Sequence, residues 1–279
     1  MVEIAKLART LDNAANKARA TRQLSEKTKY SLDDAYNIQA ASIQRRLDRG
    51  EKRNGMKMGF TSRAKMVQMG LNDMIWGRLT DKMMVEDGDT ISIKNYVHPR
   101  VEPEIAFLLK RPLSYPCTSA EALSAVDGVA AAMEIIDSRY RNFKFSLEDV
   151  VADNASSSSF VVGPWCPPDS SLDNLGMVLE FNGRPVQIGS SAAILGHPVR
   201  SLVAAARLTA QSNERLEAGW IIMAGGATAA EALRPGHGSL LQRRPRSGDR
   251  FVPSSRCARS GSSRGVPAAQ PVAGFAPAA

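Results

Sequence analysis

Arg100-Val101-Glu102-Pro103-Glu104-Ile105-Ala106-Phe107 is the stretch on which the reading of this 279-residue chain turns. Its apolar and β-branched residues read as a strand, and two carboxylates spaced i, i+2 on a strand point to the same face. Further on, Met133-Glu134-Ile135-Ile136-Asp137 sets a third carboxylate inside an apolar run. An unpaired charge there costs several kcal/mol, on the order of 3–5, unless it is neutralised. Three inward acids suggest a hard cation. Oxygen donors alone suit Mg²⁺ or Mn²⁺, whereas zinc recruits His or Cys, and the histidines are His98, His197 and His237. An E-x-E on a strand also has an ordinary reading as a solvated or ion-paired face, with Arg100 and Arg139 as partners.

Outward from that stretch, short β-type runs continue: Thr90 to Ile93, Glu104 to Leu109, Ala132 to Ile136, Phe160 to Val162 and Met177 to Phe181. Asn182-Gly183 then accepts the positive φ angles of a type I′ hairpin turn, and Pro185 marks the returning strand as an edge. A helix is expected from Pro198 to Ala210 and a strand from Gly219 to Ala224. The front of the chain reads as helical. Ile4, Leu7, Leu11 and Ala14 have helix spacing, and Leu32 to Arg49 follows a Ser31/Asp34 capping box and closes at Gly50. A short Gly55–Phe60 segment precedes a helix capped by Thr61 or Ser62 that should end at Gly70.

These elements make an α+β chain: a mainly helical section over residues 1–85, a β-rich body over 86–236, and a tail over 237–279. The tail is dominated by Ser, Arg, Pro, Gly and Ala, has no apolar periodicity, and is expected to be disordered. Its abrupt onset, where another strand is due, reads as an out-of-frame continuation or as an ordinary basic tail. The tail also holds seven Arg and a single Asp, six of the eight net positive charges. The body is therefore almost neutral, without the basic stripe of a nucleic-acid partner. No apolar stretch approaches a membrane span, and the N-terminus lacks a secretory segment, so a cytoplasmic protein is expected. Cys117, Cys166 and Cys257, widely spaced and odd in number, read as free thiols.

Six strings fall in order along the chain: Lys57-Met58-Gly59-Phe60-Thr61-Ser62, the Arg100–Phe107 stretch, Glu134-Ile135-Ile136-Asp137-Ser138-Arg139-Tyr140, Asp153-Asn154-Ala155-Ser156-Ser157, Leu195-Gly196-His197-Pro198, and Gly219 to Thr228. Over roughly residues 1–236 the chain resembles the hydratase/decarboxylase family of aromatic meta-cleavage pathways, within the fumarylacetoacetate hydrolase superfamily. Arg-Val-Glu-Pro-Glu, Ala-Gly-Gly-Ala-Thr and the Gly189-Ser190-Ser191-Ala192-Ala193 string look like its 2-oxo-3-hexenedioate (4-oxalocrotonate) decarboxylase branch. The 2-oxopent-4-enoate (vinylpyruvate) hydratase branch is the alternative.

The resemblance implies that Glu102, Glu104 and Glu134 ligate Mg²⁺ or Mn²⁺ and that Lys57 holds a substrate carboxylate or the developing enolate oxygen. Without it, Lys57 reads as a strand lysine with its head in solvent. The implied reaction is loss of CO₂ from an unsaturated 2-oxo dicarboxylate to give 2-hydroxypenta-2,4-dienoate, with no organic cofactor. Asp153 and Ser157, with the neighbouring serines, are candidates for a polar wall around the distal carboxylate. Asp153 also reads as a turn or cap after a short helix begun at Ser146. Arg139 either pairs with that carboxylate or neutralises Asp137. His197 reads as a helix-start residue, and Gly225-Gly226 either brings backbone close to substrate or makes a plain turn. A homo-oligomer and a complex with vinylpyruvate hydratase are further implied. In the resembling family the terminal strands continue past residue 236, so their loss here implies lower stability, or a catalytically impaired subunit that persists as an assembly partner.

Overall fold

A computed structural model describes residues 2–62, 66–67, 73–168 and 171–237, and the backbone of 239–244 and 255–257. The helix expected to end at Gly70 lies largely outside the described residues.

Two helices open the chain, α1 (Ile4–Asn16) and α2 (Leu32–Leu47), and the Ser31/Asp34 capping box forms as expected. Two strands follow, β1 (Arg53–Gly59) and β2 (Ile75–Thr80), then the short β3 (Met84–Val85). Next come β4 (Arg100–Leu109), the short helix α3 (Ser119–Ser124), β5 (Val126–Ile136), α4 (Leu147–Ala152) and β6 (Ser157–Val162). The hairpin strands β7 (Gly176–Phe181) and β8 (Arg184–Ser190) meet at Asn182 and Gly183, with φ of 52° and 77°, the expected type I′ signature. After them run α5 (Pro198–Gln211), β9 (Ile221–Met223) and β10 (Glu231–Ala232).

Thr90 to Ile93 is not a strand: Ile93 instead starts a 3₁₀ turn to Asn95. The strand expected from Gly219 is shorter, because Gly219 takes φ +80° and pairing starts at Ile221.

The larger sheet runs β2-β1-β9-β4-β5-β6-β3, with β10 added on β4. It draws β1 and β2 from the helical front section. The smaller sheet holds β7 with β8 at its edge, where Pro185 costs no ladder bond. Strand pairing continues past residue 236: β11 (Ser239–Arg244) lies antiparallel to β7, and β12 (Ser255–Cys257) lies against β11. The remainder of the expected tail, 245–254 and 258–279, lies outside the described residues.

One core joins the two sheets and α5, with Phe107, Leu109, Met133, Leu179, Leu202 and Ile222 fully or almost fully buried. A second holds α1, α2 and α4 against β2 through Leu11, Ile38, Ile75, Tyr140 and Val151. Tyr36 stacks on Trp76 at 5.4 Å, and the buried Gln39 amide donates to the carbonyls of Trp76 (3.1 Å) and Val151 (2.8 Å). Those bonds fix the helical layer against one side of the sheet. Among the described residues no helix is long and apolar enough to cross a membrane.

Candidate metal centre

β4 and β5 pair antiparallel with Glu102 directly opposite Glu134. Directly opposed residues share a face, and like charges there repel. Glu104, two residues along β4, joins them, so each of the three carboxylates offers an oxygen within 4.8 Å of the others. Glu104 and Glu134 are wholly buried. Burial pushes the Glu104 carboxyl well above the ordinary range, and the charge of Glu134 pushes it the same way. Glu134 is also raised by burial, against the pull of Lys57.

Lys57 arrives from β1, with β9 between it and β4. It is 3 % exposed, not solvated. Its Nζ lies 2.9 Å from Glu134 Oε2 and donates to the Ala155 carbonyl at 3.1 Å. Burial lowers the ammonium's pKa, but the charges of Glu134, Glu104 and Glu102 more than offset this and hold it above its ordinary value. Two of its three donors are occupied, which leaves one for a ligand.

The donor set fits a hard divalent cation. Glu104 Oε2 accepts the Gly225 N–H at 2.8 Å, while Glu104 Oε1 and Glu134 Oε1 are buried without hydrogen-bond partners among the described residues. Three carboxylates this close, two of them wholly buried and carrying unpartnered oxygens, with the Lys57 ammonium against Glu134, are what a cation would satisfy. The Gly225-Gly226 pair lets backbone approach this cluster. A Cβ on Gly225, at φ +104°, would come within 2.1 Å of Thr61 Oγ1, and one on Gly226 within 3.1 Å of the Glu102 carboxylate.

Above the cluster opens a cavity of about 330 Å³, within the range of small-molecule sites. Lys57, Thr61, Arg100, Glu102 and Ser156 give its polar lining, and Phe60, Ile75, Phe143, Phe145 and Val150 much of its apolar lining. Phe60, Phe143, Ala155 and Ser156 all take positive φ, a concentration of strained backbone around one opening.

The residues expected to form the substrate wall sit elsewhere. Arg139 and Asp153 are buried and bind each other, with Arg139 Nε donating to Asp153 Oδ1 at 2.5 Å and the Arg139 backbone N–H to Oδ2 at 2.8 Å. The guanidinium also donates to the carbonyls of Ser157 and Asp153. Burial pushes the Asp153 carboxyl up to about 6 even against that arginine. Asp137 is satisfied instead by the Val97 and His98 N–H groups at 2.9 and 2.7 Å. Within the protein Arg139 therefore pairs with Asp153 and not with Asp137. Asp153 caps α4, the ordinary reading of that residue. Ser157 is buried off the cavity, and the adjacent Ser156 lines it. His197 caps α5, accepting the Val199 N–H through Nδ1.

Sequence reasoning treated Arg100 only as a possible ion-pair partner and passed over Phe143 and Ala155. The usable signal for Arg100 was the alternation Arg100, Glu102, Glu104, which puts it on the same strand face as the acids.

Comparison with known proteins agrees with this architecture. Residues 57–253 match the family described as Fumarylacetoacetate (FAA) hydrolase C-terminal. The chain is 59 % identical over 235 residues to a 4-oxalocrotonate decarboxylase of a Pseudomonas species, covering 84 % of this chain and 92 % of that one. It is 39 % identical over 209 residues to a 2-keto-4-pentenoate hydratase of Paraburkholderia xenovorans, covering 74 % and 78 %. The structure of the Pseudomonas putida G7 4-oxalocrotonate decarboxylase complexed with magnesium and adipate superposes with a TM-score of 0.87 at 38 % identity, over 92 % of this chain and 97 % of that one. The chain belongs to the fumarylacetoacetate hydrolase family of enzymes, in the group that holds the 4-oxalocrotonate decarboxylases and the 2-keto-4-pentenoate hydratases.

Proposed function

We propose that the protein decarboxylates 2-oxo-3-hexenedioate to 2-hydroxypenta-2,4-dienoate and CO₂, with Glu102, Glu104 and Glu134 holding Mg²⁺ or Mn²⁺. The observation that carries this reading is the convergence of three carboxylates within 4.8 Å, with unpartnered buried oxygens, at a small-molecule cavity. When bound, the cation supplies Lewis acidity toward a 2-oxo acid.

The chain's own residues supply the rest. The three glutamates stay ionised and act as ligands, not as general bases. Lys57, fixed by Glu134 and the Ala155 carbonyl, directs its remaining N–H toward the substrate's 2-oxo oxygen. That oxygen gathers charge as the C5–C6 bond breaks: the bonding electrons form C4=C5, the C3=C4 pair shifts to C2=C3, the charge settles on the 2-oxo oxygen, and C6 leaves as CO₂; the oxygen takes one proton from solvent on release to complete the 2-hydroxy group. The apolar walls from Phe60, Ile75 and Val150 exclude water, strengthening the Lys57 contact and keeping water from the dienol product.

The same reading includes a cytoplasmic, self-associating enzyme that docks a vinylpyruvate hydratase, which light scattering of the two mixed proteins checks. The test of the reaction is CO₂ release from 2-oxo-3-hexenedioate with Mg²⁺, with EDTA, and with Glu104→Gln. Release should need the metal and fall at least about a thousandfold in the variant, in line with loss of several kcal/mol of transition-state stabilisation. Metal-dependent water addition to 2-oxopent-4-enoate without CO₂ release from the diacid would replace the decarboxylase with a hydratase.

A further inference from the structure

We infer that Arg100 selects dicarboxylates for this site, an assignment that rests on the reaction proposed above and names the residue that reads the substrate's second charge. Arg100, Glu102 and Glu104 alternate along β4 and share a face. Across the ladder Arg100 faces Ile136 and Glu102 faces Glu134, and Arg100, Ile136 and Glu102 all line the cavity. The Arg100 guanidinium stacks 4.7 Å from the centre of the Phe143 ring, which also lines it. Stacking holds the plane of the group and leaves its N–H edge open to a carboxylate. The buried Arg78 and Arg139 are spent on Glu214 and Asp153, and the half-buried Arg53 also pairs with Glu214. Arg100 makes no ion pair among the described residues.

Arg100 and Glu102 line the same cavity two residues apart on one strand face, a separation on the scale of a six-carbon diacid. The Cα atoms of Arg100 and Glu102 lie about 6.6 Å apart along the strand. The two carboxyl carbons of an extended hexanedioate are about 6 Å apart, five bonds of ~1.5 Å in zigzag. A substrate whose 2-oxo acid end lies at the glutamate cluster and whose chain runs along β4 brings its other carboxylate to the side of the cavity that Arg100 lines. A monocarboxylic 2-oxo acid of the same length leaves the guanidinium without that partner.

Arg100 acts on selection and not on rate. As C6 leaves as CO₂ its charge disappears, so the ion pair is stronger in the bound substrate than in the transition state. Ile136 and Phe143 beside it present apolar surface to the neutral product. Removing the guanidinium should therefore raise KM without lowering kcat.

The test titrates 2-oxohexanedioate and 2-oxohexanoate, saturated compounds that lack the conjugated double bond, into the Mg²⁺-loaded protein by calorimetry. The parent protein should bind the diacid about tenfold or more tighter than the monoacid. Arg100→Gln should bring the two within about twofold, by weakening the diacid and leaving the monoacid unchanged, and should raise KM for the reactive diacid about tenfold with kcat equal or higher. Unchanged monoacid affinity reports an intact site. Arg100→Met, which keeps the aliphatic stem over Phe143, should behave alike. A diacid preference that survives in both variants, or a loss of kcat at constant KM, overturns the assignment of Arg100 while leaving the proposed reaction standing. Absence of metal-dependent binding of either compound to the parent protein overturns the reaction and this inference together.

Discussion

Asn154 shows how much of the centre depends on residues that never touch it. Its Oδ1 accepts the Arg78 N–H at 2.7 Å and its Nδ2 donates to the Arg78 carbonyl at 2.9 Å, a two-point clamp onto β2. The clamp holds Asn154, Ala155 and Ser156 at φ of 53°, 51° and 58°. Left-handed backbone costs about 1–2 kcal/mol per non-glycine residue, so the turn persists only because its surroundings impose it. Gly77 makes room, since a Cβ there would come within 2.5 Å of the Asn154 carbonyl oxygen. The result is that the Ala155 carbonyl reaches Lys57 and Ser156 faces the cavity. Asn154→Ala should lower kcat about 10–100-fold by loosening Lys57 and cost about 1–3 kcal/mol in urea unfolding by leaving the Arg78 backbone groups unpartnered. Unchanged turnover in that variant would show that the Ala155 carbonyl is not what positions Lys57. The glutamates were legible in the sequence because strand alternation is a local rule. The turn was not, because nothing in Asn-Ala-Ser demands positive φ; the demand comes from β2, 76 residues away in the chain.

The paired helices α1 and α2 were legible from periodicity and a capping box, whereas the contact that locks them together was not. Asp12, 3 % exposed, accepts from Arg45 Nε at 2.7 Å and from Arg49 at 2.9 and 2.7 Å. Burial raises the Asp12 carboxyl, but the hydrogen bonds and charges of Arg49 and Arg45 more than offset this and hold it below the ordinary range. The folded state thus favours the ionised form. This contribution is fully present above the ordinary carboxylate value and is lost as pH falls through it toward the depressed one. Asp12→Asn should cost about 1–2 kcal/mol at pH 7, and the gap to the parent protein should begin to narrow below about pH 4, closing only as pH falls through the depressed folded value. Urea unfolding at pH 7 and pH 3.5 checks this, and a gap that stays constant would deny Asp12 its ionic role. Thr90 to Ile93 misled in the opposite direction, since β-branched residues there carry strand propensity without a neighbouring strand to pair with.

The division into helices first and strands afterwards could be read from the order of patterns along the chain. That β1 and β2 belong to the main sheet, and that a three-residue strand from near residue 222 completes it, could not, because pairing between distant segments leaves no local trace. The stability of the assembled protein should report on the carboxylate cluster directly. Without metal, Glu104→Gln replaces a buried carboxyl whose ionised form is disfavoured by burial and by Glu134, and should raise the melting temperature by a few degrees. Saturating Mg²⁺ should raise the melting temperature of the parent protein and hardly move that of the variant. Scanning fluorimetry with Mg²⁺ and with EDTA separates these, and equal responses in both proteins would place the metal elsewhere. The position of β9 between β1 and β4 also governs when the centre can exist. Lys57 and Glu102 are made early, yet their strands, β1 and β4, are joined in the sheet through Ile221–Met223. At about 5–20 residues per second, a ribosome leaves β1 waiting on the order of ten seconds for its parallel neighbour. Through that interval the apolar edges of β1 and β4 are open, so the emerging chain has a long window in which to need a chaperone, and metal capture becomes a late event in its synthesis.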